Sequence, residues 1–375
     1  MQEAIITGAS GFIGARIALR LLQQGWSVTA IGRRANGTSW PMRMVAALDD
    51  IRGAAVEKSL LTELHCCEVE LTSPDLGLTE AARRQLQQRK AVLFHVAGDT
   101  RFNPPDPQLQ LLINVDGALN VVRALAESLT SVVHVSTAYV SGARQELIKE
   151  DDLEMGQSFR NCYEKSKLAG ELAITKLCRE LSISLSIVRP SVIINDTETG
   201  RSSTFTHLNA LVDVVRRLQE HFGLGRSEVV SEEIRIMVDP GGRPNLAQID
   251  PMIEALLQIA LHPEAPGRTY HLCHPCPQTN TEIVELLTQA FEVKDKVNVT
   301  CVDELPEDVS HTEKMIARSF KPYLPYLNDR SSFDLTNTIS LVPEYVAMFP
   351  ALDVDYINKV IDFQHAVDQD DNPVH

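Results

Sequence analysis

The ten residues Ile5-Ile6-Thr7-Gly8-Ala9-Ser10-Gly11-Phe12-Ile13-Gly14 constrain this chain more than any other stretch. Residues 3–7 read as a short apolar strand, and Ile13, Ile17, Leu21 and Leu22 recur on one face of a following helix. Three glycines, each three residues from the last, fill the turn between them. Glycine tolerates the tight backbone and lets a phosphate approach main-chain N–H groups at the helix N-terminus. A first strand joined to a first helix in this way points to a dinucleotide site, with Gly8, Ser10, Gly11, Phe12, Ile13 and Gly14 as its binding residues.

The alternation continues along the chain. Further strands are expected at 27–31, 64–71, 91–96, 131–136 and 184–189, and helices at 79–89, 108–129 and 161–181. Residues 35–64 are less regular, with short helices suggested by Met44, Val45 and Leu48. The continuous apolar run 91–96 is the pattern of a strand buried on both faces of a parallel sheet. Strand and helix repeating with short connections predict an α/β fold, a Rossmann-type doubly wound parallel sheet. That core should span 1–195 and be essentially complete there. Residues 196–375 are expected to form a smaller, mixed substrate-binding lobe, with segments around 234–290 returning to the core. Its helices are expected near 207–222, 249–262, 279–291, 311–320 and 353–367, its strands near 234–238 and 269–272, and a loop at Gly223–Gly225.

A chain of 375 residues can bury one large core, or a core with an appended lobe. Its net charge of −15 argues against a nucleic-acid binder, which would show a basic face. Seven cysteines without framework spacing fit a reducing compartment. The first strand follows Met1 with no room for a signal peptide, and no apolar run is expected to reach membrane-span length. A cytoplasmic protein is the expectation. The acidic residues 368–371 read as a solvated, frayed end.

The end of the second strand bears on which dinucleotide is bound. An acid there would accept hydrogen bonds from ribose hydroxyls; this chain has Gly32, Arg33 and Arg34 instead. Arginine binds phosphate oxygens bidentately, which favours NADP(H) over NAD(H), although two exposed loop arginines would look the same. Tyr163 and Lys167 lie at i and i+4, on one face of a predicted helix, and no other tyrosine has lysine at that spacing. An ammonium beside the phenol would lower the tyrosine pKa and make Tyr163 a proton donor to a carbonyl oxygen, with Lys167 also able to hold the cofactor. Thr137, with Ser136 second, follows the fifth strand, where a hydroxyl can stabilise a developing negative oxygen or simply cap a turn.

Small Ala97 and Gly98 end the fourth strand and leave space for the cofactor's backbone. His95 reads as a packed strand residue. Asn114 either orders a water, fixes the surroundings of Lys167 or is a plain helix amide. His271, Cys273, His274 and Cys276 have one C-x-x-C spacing but no second pair, so a structural loop is expected and no metal.

Taken together these residues resemble the extended short-chain dehydrogenases/reductases: the turn at 7–14, Asn114-Val115-Asp116-Gly117, and Thr137 with Tyr163-x-x-x-Lys167. The likeness is greatest to the thioester-reductase and fatty acyl-CoA reductase branch. It rests on His95-Val96-Ala97-Gly98-Asp99-Thr100-Arg101-Phe102, Val135-Ser136-Thr137-Ala138-Tyr139-Val140 and Val188-Arg189-Pro190-Ser191-Val192-Ile193. It is strong over 3–195, weaker over 234–290 and faint beyond 300. The resemblance implies that Pro190 and Ser191 contact the nicotinamide end and that Glu70 and Leu71 lie near adenine. It also implies reduction of an acyl thioester, on coenzyme A or a carrier protein, to an aldehyde or alcohol. Gly98 stands where such proteins more often have alanine. No adenylation or carrier segment is recognised in the chain, so the acyl group is expected from another molecule.

The leading reading is an NADPH-dependent reductase of acyl thioesters or their aldehydes, with Thr137, Tyr163, Lys167 and Asn114 as its catalytic set. A dehydrogenase of ketone, sterol-like or polyketide substrates would use the same residues. A sugar-nucleotide epimerase fits Arg33 less well, and a non-catalytic NADP(H)-sensing protein would not need the Tyr–Lys pair. Helices 108–129 and 161–181 offer a homodimer interface by analogy of fold.

Overall fold

A computed structural model describes residues 2–33, 35, 37–204, 207–222, 233–293 and 297–371. Arg34 and the loop expected at 223–225 lie outside these residues. In chain order the strands are β1 (Glu3–Thr7), β2 (Ser27–Gly32), β3 (Leu64–Glu68), β4 (Ala91–His95), β5 (Leu129–Val135), β6 (Leu147–Ile148) and β7 (Ser184–Pro190). They continue as β8 (Val192–Ile194), β9 (Glu233–Met237), β10 (Leu246–Gln248), β11 (Thr269–Leu272), β12 (Asn298–Val302) and β13 (Ser332–Phe333). Seven form one sheet in the order β11-β7-β5-β4-β1-β2-β3, with every neighbouring pair parallel. The order reverses between β1 and β4. Crossovers on the two sides of that point leave in opposite directions and open a crevice at the carboxyl ends of the strands.

The apolar runs are explained by burial on both faces. Ile5 and Leu93 pack with Val121, Val122 and Leu125 on one side of the sheet, while Ile6 and Phe94 pack with Ile17 and Leu21 on the other. Helix Gly14–Gln23 starts two residues later than the apolar pattern implies, because Phe12 and Ile13 still belong to the turn. The segment 35–64 carries one 13-residue helix, Trp40–Arg52, with Pro41 in its first turn, where proline is tolerated.

The expected regular helix at 108–129 is a composite. It runs as α-helix Pro107–Leu111, a π-helical turn Leu112–Asp116, α-helix Gly117–Leu125 and a 3₁₀ turn Ala126–Ser128. Contrary to the sequence expectation, 107–128 is long and apolar enough to cross a membrane by length and composition alone. Ala118, Val121, Val122 and Leu125 are nonetheless fully buried in the core.

Six sheet strands are in place by Pro190, and the seventh, β11, is added from the second half of the chain. Helix Ile249–Leu261 also packs into the core beneath the sheet through Met252, Ile253 and Leu256. A second apolar cluster joins helix His207–Phe222 (Leu208, Leu211, Val215) to Ile234 and Ile236 of β9, with Ile283, Phe320, Ile357 and Val360. The parallel pair β9–β12 lies within this half, and β8–β10 and β6–β13 join it to the first.

A buried ion pair, with the Glu150 carboxylate beside it, lies where these parts meet. The Arg189 side chain is 1% exposed and that of Glu171 is fully buried. Arg189 donates through Nε to Glu171 at 3.1 Å and through Nη1 to the carbonyls of Glu150 (3.1 Å) and Asp152 (2.8 Å). Glu171 also accepts from Ser136 Oγ at 2.6 Å. The Glu150 carboxylate in turn accepts from His271 N (3.0 Å) and Thr338 Oγ1 (2.7 Å), linking β11 to helix Thr336–Leu341. Arg189→Met strands the Glu171 charge and should cost about 3–5 kcal/mol of stability, because removing one partner leaves the other buried and uncompensated. Chemical denaturation measures this; a loss below about 1 kcal/mol would contradict the pair's role.

Candidate active site

A cleft of about 1150 Å³ runs across the switch point between β1 and β4. Gly8, Ser10, Gly11, Phe12 and Ile13 line its middle; Arg33, Glu70, Leu71, Ala97, Gly98, Thr137, Tyr163, Pro190 and Ser191 also line it. Of the other site residues expected from sequence, Gly14, Asn114 and Lys167 lie behind its wall, buried, and Arg34 lies outside the described residues.

The glycines are needed for distinct reasons. Gly8 has φ +64°, and a Cβ there would sit 2.9 Å from the Ala97 backbone. A Cβ on Gly14 would lie 2.3 Å from the Gly8 carbonyl oxygen, so this glycine shapes the turn rather than facing the cleft. Gly11 N donates to Gly8 O at 2.9 Å and closes the turn. Thr7 Oγ1 accepts from Val96 N and Ala97 N, both at 3.0 Å, and meets His95 Nδ1 at 3.1 Å. The open, Cβ-free cradle this creates at the start of a helix fits a dinucleotide pyrophosphate.

Arg33 is exposed at the end of β2 beside Arg43, whose Nη1 donates to the Arg33 carbonyl at 2.7 Å. Gly32 leaves room for Trp40, since a Cβ there would come within 2.6 Å of the indole. Trp40 Nε1 donates to the Ala30 carbonyl at 2.9 Å, and the Arg43 guanidinium lies 5.6 Å from the indole ring. Arg43 was not evident from sequence; it lies one turn into the helix after β2, which Trp40 anchors, and lines the cleft. Glu70 accepts from Thr72 N, and this with the Thr72 hydroxyl holds its carboxyl below the usual range.

The Tyr–Lys pair corrects the sequence reading. Lys167 Nζ donates to the Val135 carbonyl at 2.7 Å, and burial lowers its pKa to about 8. Tyr163 is instead pushed up to about 12 by burial, opposed only by its hydrogen bond with Thr137. Lysine does not lower the phenol here. Tyr163 therefore keeps its proton throughout the neutral range. Thr137 Oγ1 accepts from Tyr139 N at 3.3 Å, so it caps a turn and faces the cleft at the same time.

Asn114 sits in the π-helical turn and clamps the loop after β4. Its Oδ1 accepts from Asp99 N (2.7 Å), and its Nδ2 donates to Asp99 O (3.0 Å) and Ser166 Oγ (2.8 Å). A Cβ on Gly98 would come 3.1 Å from Asn114 Oδ1, a tight contact with the amide that clamps the loop. His95 is packed as expected, stacked on His134 with ring centroids 5.4 Å apart, and burial lowers its pKa to about 3. His271 Nδ1 meets the Asp334 carbonyl at 2.8 Å and His274 Nε2 the Pro350 carbonyl at 3.2 Å, while Cys273 Sγ faces Arg189 O at 3.9 Å. Among the described residues, no group of three or more His, Cys, Asp or Glu is arranged to hold a metal.

The rest of the cleft adds His207, Tyr323 and Tyr326, which carry no local sequence signal. Phe102, His207, Tyr323 and Tyr326 line it with Tyr139 and Tyr163. Tyr326 Oη donates to Glu164 at 2.9 Å and accepts from Asn161 Nδ2 at 2.7 Å. Arg160 bonds both Glu164 (3.2 Å) and Asp329 (3.0 Å). A segment more than 160 residues away thus holds the first turn of the helix bearing Tyr163.

The buried histidine gives a pH signature. The unfolded chain protonates His95 near 6.5, whereas the fold refuses the proton down to about 3. This contribution to stability is full above pH 6.5 and is lost as the pH falls, at about 1.4 kcal/mol per unit for one such group. His95→Gln should reduce the slope of unfolding free energy against pH between 6 and 4 by about that amount. An unchanged slope in denaturant titrations would contradict a neutral, buried His95.

A family model described as male sterility protein, of the NAD-binding type, matches residues 6–232. The nonribosomal peptide synthetase asaC of Aspergillus flavus is 23% identical over 362 residues, covering 90% of this chain and 34% of the relative. The chain thus spans about a third of that protein's length. The terminal R domain from the myxalamid PKS-NRPS biosynthetic pathway superposes with a TM-score of 0.78 at 19% identity, covering 98% of this chain and 91% of that one. A thiolation-reductase di-domain from an archaeal non-ribosomal peptide synthetase gives 0.73 at 17% identity, covering 98% and 76%. With its parallel sheet, glycine turn and Tyr–Lys helix, the chain belongs to the male sterility protein family of the NAD-binding type.

Proposed function

We propose that this protein is an NADPH-dependent reductase of an acyl thioester, carried on coenzyme A or a carrier protein, or of the derived aldehyde. One observation carries the reading: the glycine cradle, Arg33, Thr137 and Tyr163 all line a single cleft. Reductase domains among the similar proteins support the substrate class.

The nicotinamide, when bound, supplies the hydride. The chain's own residues do the rest. Gly8, Ser10 and Gly11 offer the pyrophosphate main-chain space at the helix N-terminus. Arg33, with Arg43 beside it, provides permanent positive charge for a 2′-phosphate. Pro190, Ser191, Glu70 and Leu71 all line the cleft, and the family resemblance assigns the first two to the nicotinamide end and the last two to adenine. Tyr163 holds a proton at neutral pH and delivers it to the carbonyl oxygen, while the Thr137 hydroxyl donates a second hydrogen bond as charge develops there. Lys167 keeps a buried positive charge one helical turn away, anchored on the end of β5. Asn114 holds the loop after β4 and acts on the site by positioning.

NADPH oxidation followed optically against acyl-CoAs, pantetheine thioesters, aldehydes and ketones tests the reading. Thioesters or aldehydes should be turned over; brisk ketone reduction with no thioester or aldehyde turnover would overturn it in favour of a carbonyl dehydrogenase. Tyr163→Phe should lower kcat by about 10²-fold or more. Arg33→Ala should weaken NADPH binding by roughly 10- to 100-fold and leave NADH nearly unchanged, since a charge-assisted hydrogen bond is lost only with the phosphate. Equal loss for both cofactors would contradict the phosphate role.

A further inference from the structure

The far end of the cleft is walled by rings in a continuous series. Phe102 stacks on Tyr326 with centroids 5.0 Å apart and lies 6.4 Å from Tyr163 and 6.3 Å from His207. His207 meets Tyr323 edge-on at 4.7 Å, and Tyr139 meets Tyr326 edge-on at 4.8 Å. All six line the cleft, and one of them is the proposed proton donor. The series therefore begins at the reacting group and leads away from it.

These walls are held in advance. Tyr326 is pinned through its hydroxyl by Asn161 and Glu164, and the Arg160 guanidinium lies 5.4 Å from the Tyr326 ring and 5.7 Å from that of Tyr139. Arg160 is itself neutralised by Glu164 and Asp329, and burial lowers the His207 pKa to about 4, so the imidazole is neutral. The chamber presents ring faces and edges, with Arg160 and its two carboxylates paired together behind them. Flexible aliphatic side chains would mould to any apolar chain; fixed rings reward a flat partner, through offset-stacked and edge-to-face contacts beyond simple area burial.

We infer that this ring-walled end is the acyl pocket, and that it selects an uncharged aryl or conjugated, planar acyl group over a saturated chain of equal carbon count. The inference rests on the reductase reading for its chemistry, but binding can be measured without turnover. Calorimetry of the full chain with cinnamic acid and nonanoic acid, both of nine carbons, gives the binding preference. Specificity constants for the two N-acetylcysteamine thioesters give the kinetic one. Both should favour the cinnamoyl compound by about tenfold, the size expected from one or two ring contacts. Phe102→Leu, which removes no hydrogen bond of the network, and Tyr326→Leu should each shrink the preference to within about twofold. Tyr326→Phe, which keeps the ring, should retain it. Equal or better binding of nonanoic acid, or a preference unchanged in Phe102→Leu, would overturn the inference. If the preference for cinnamic acid responds to these variants and neither the thioesters nor the corresponding aldehydes are reduced, the pocket stands and the reductase reading fails. If both thioesters are reduced equally well, the reverse holds.

Discussion

The junction between the first and fourth strands governs this structure. Thr7 Oγ1 accepts from two consecutive main-chain N–H groups, Val96 and Ala97, and ties the last residue of β1 to the exit of β4. Gly8 then turns against the Ala97 backbone so closely that no side chain fits between them. The contact lies where the sheet order reverses, so it sets the width of the crevice at its centre. Everything proposed for the cofactor depends on that spacing.

A second constraint brings the two halves of the chain to the same cleft. Glu171 and Arg189 are buried together beneath Ser136, and Glu150 links the same region to β11 and helix Thr336–Leu341. On the other side, Glu164 next to Tyr163 is bonded by Tyr326 from the second half of the chain. The helix carrying the proposed acid is thus gripped at both ends of its active face. Burying so many charges is costly, and the cost is offset only because each has several well-placed partners. In return the proposed acid is held in one geometry before any substrate arrives.

The parallel sheet and the glycine turn were legible in the sequence because their causes are local. Strands buried on both faces read as apolar runs, and Gly8, Gly11 and Gly14 mark a turn by spacing alone. Thr137 and Tyr163 followed from their places after β5 and at a helix start. The state of Tyr163 did not: i,i+4 spacing gives a shared face, not a shared proton, and Lys167 spends its charge on the Val135 carbonyl. Neither the π-helical turn that presents Asn114 nor the approach of Tyr326 to Glu164 is encoded by a neighbour in sequence. Arg43 reaches the cleft through the packing of Trp40 under Gly32, which becomes visible only when the helix is in place.

The central claim is that hydride reaches an acyl carbon in this cleft, and isotope transfer tests it most directly. NADPH carrying deuterium at the transferable C4 position, incubated with the protein and an acyl thioester, should give an aldehyde or alcohol with deuterium on the former thioester carbon by mass spectrometry. Labelled cofactor consumed with no deuterium on that carbon, or transferred only when a ketone is supplied, would contradict the account.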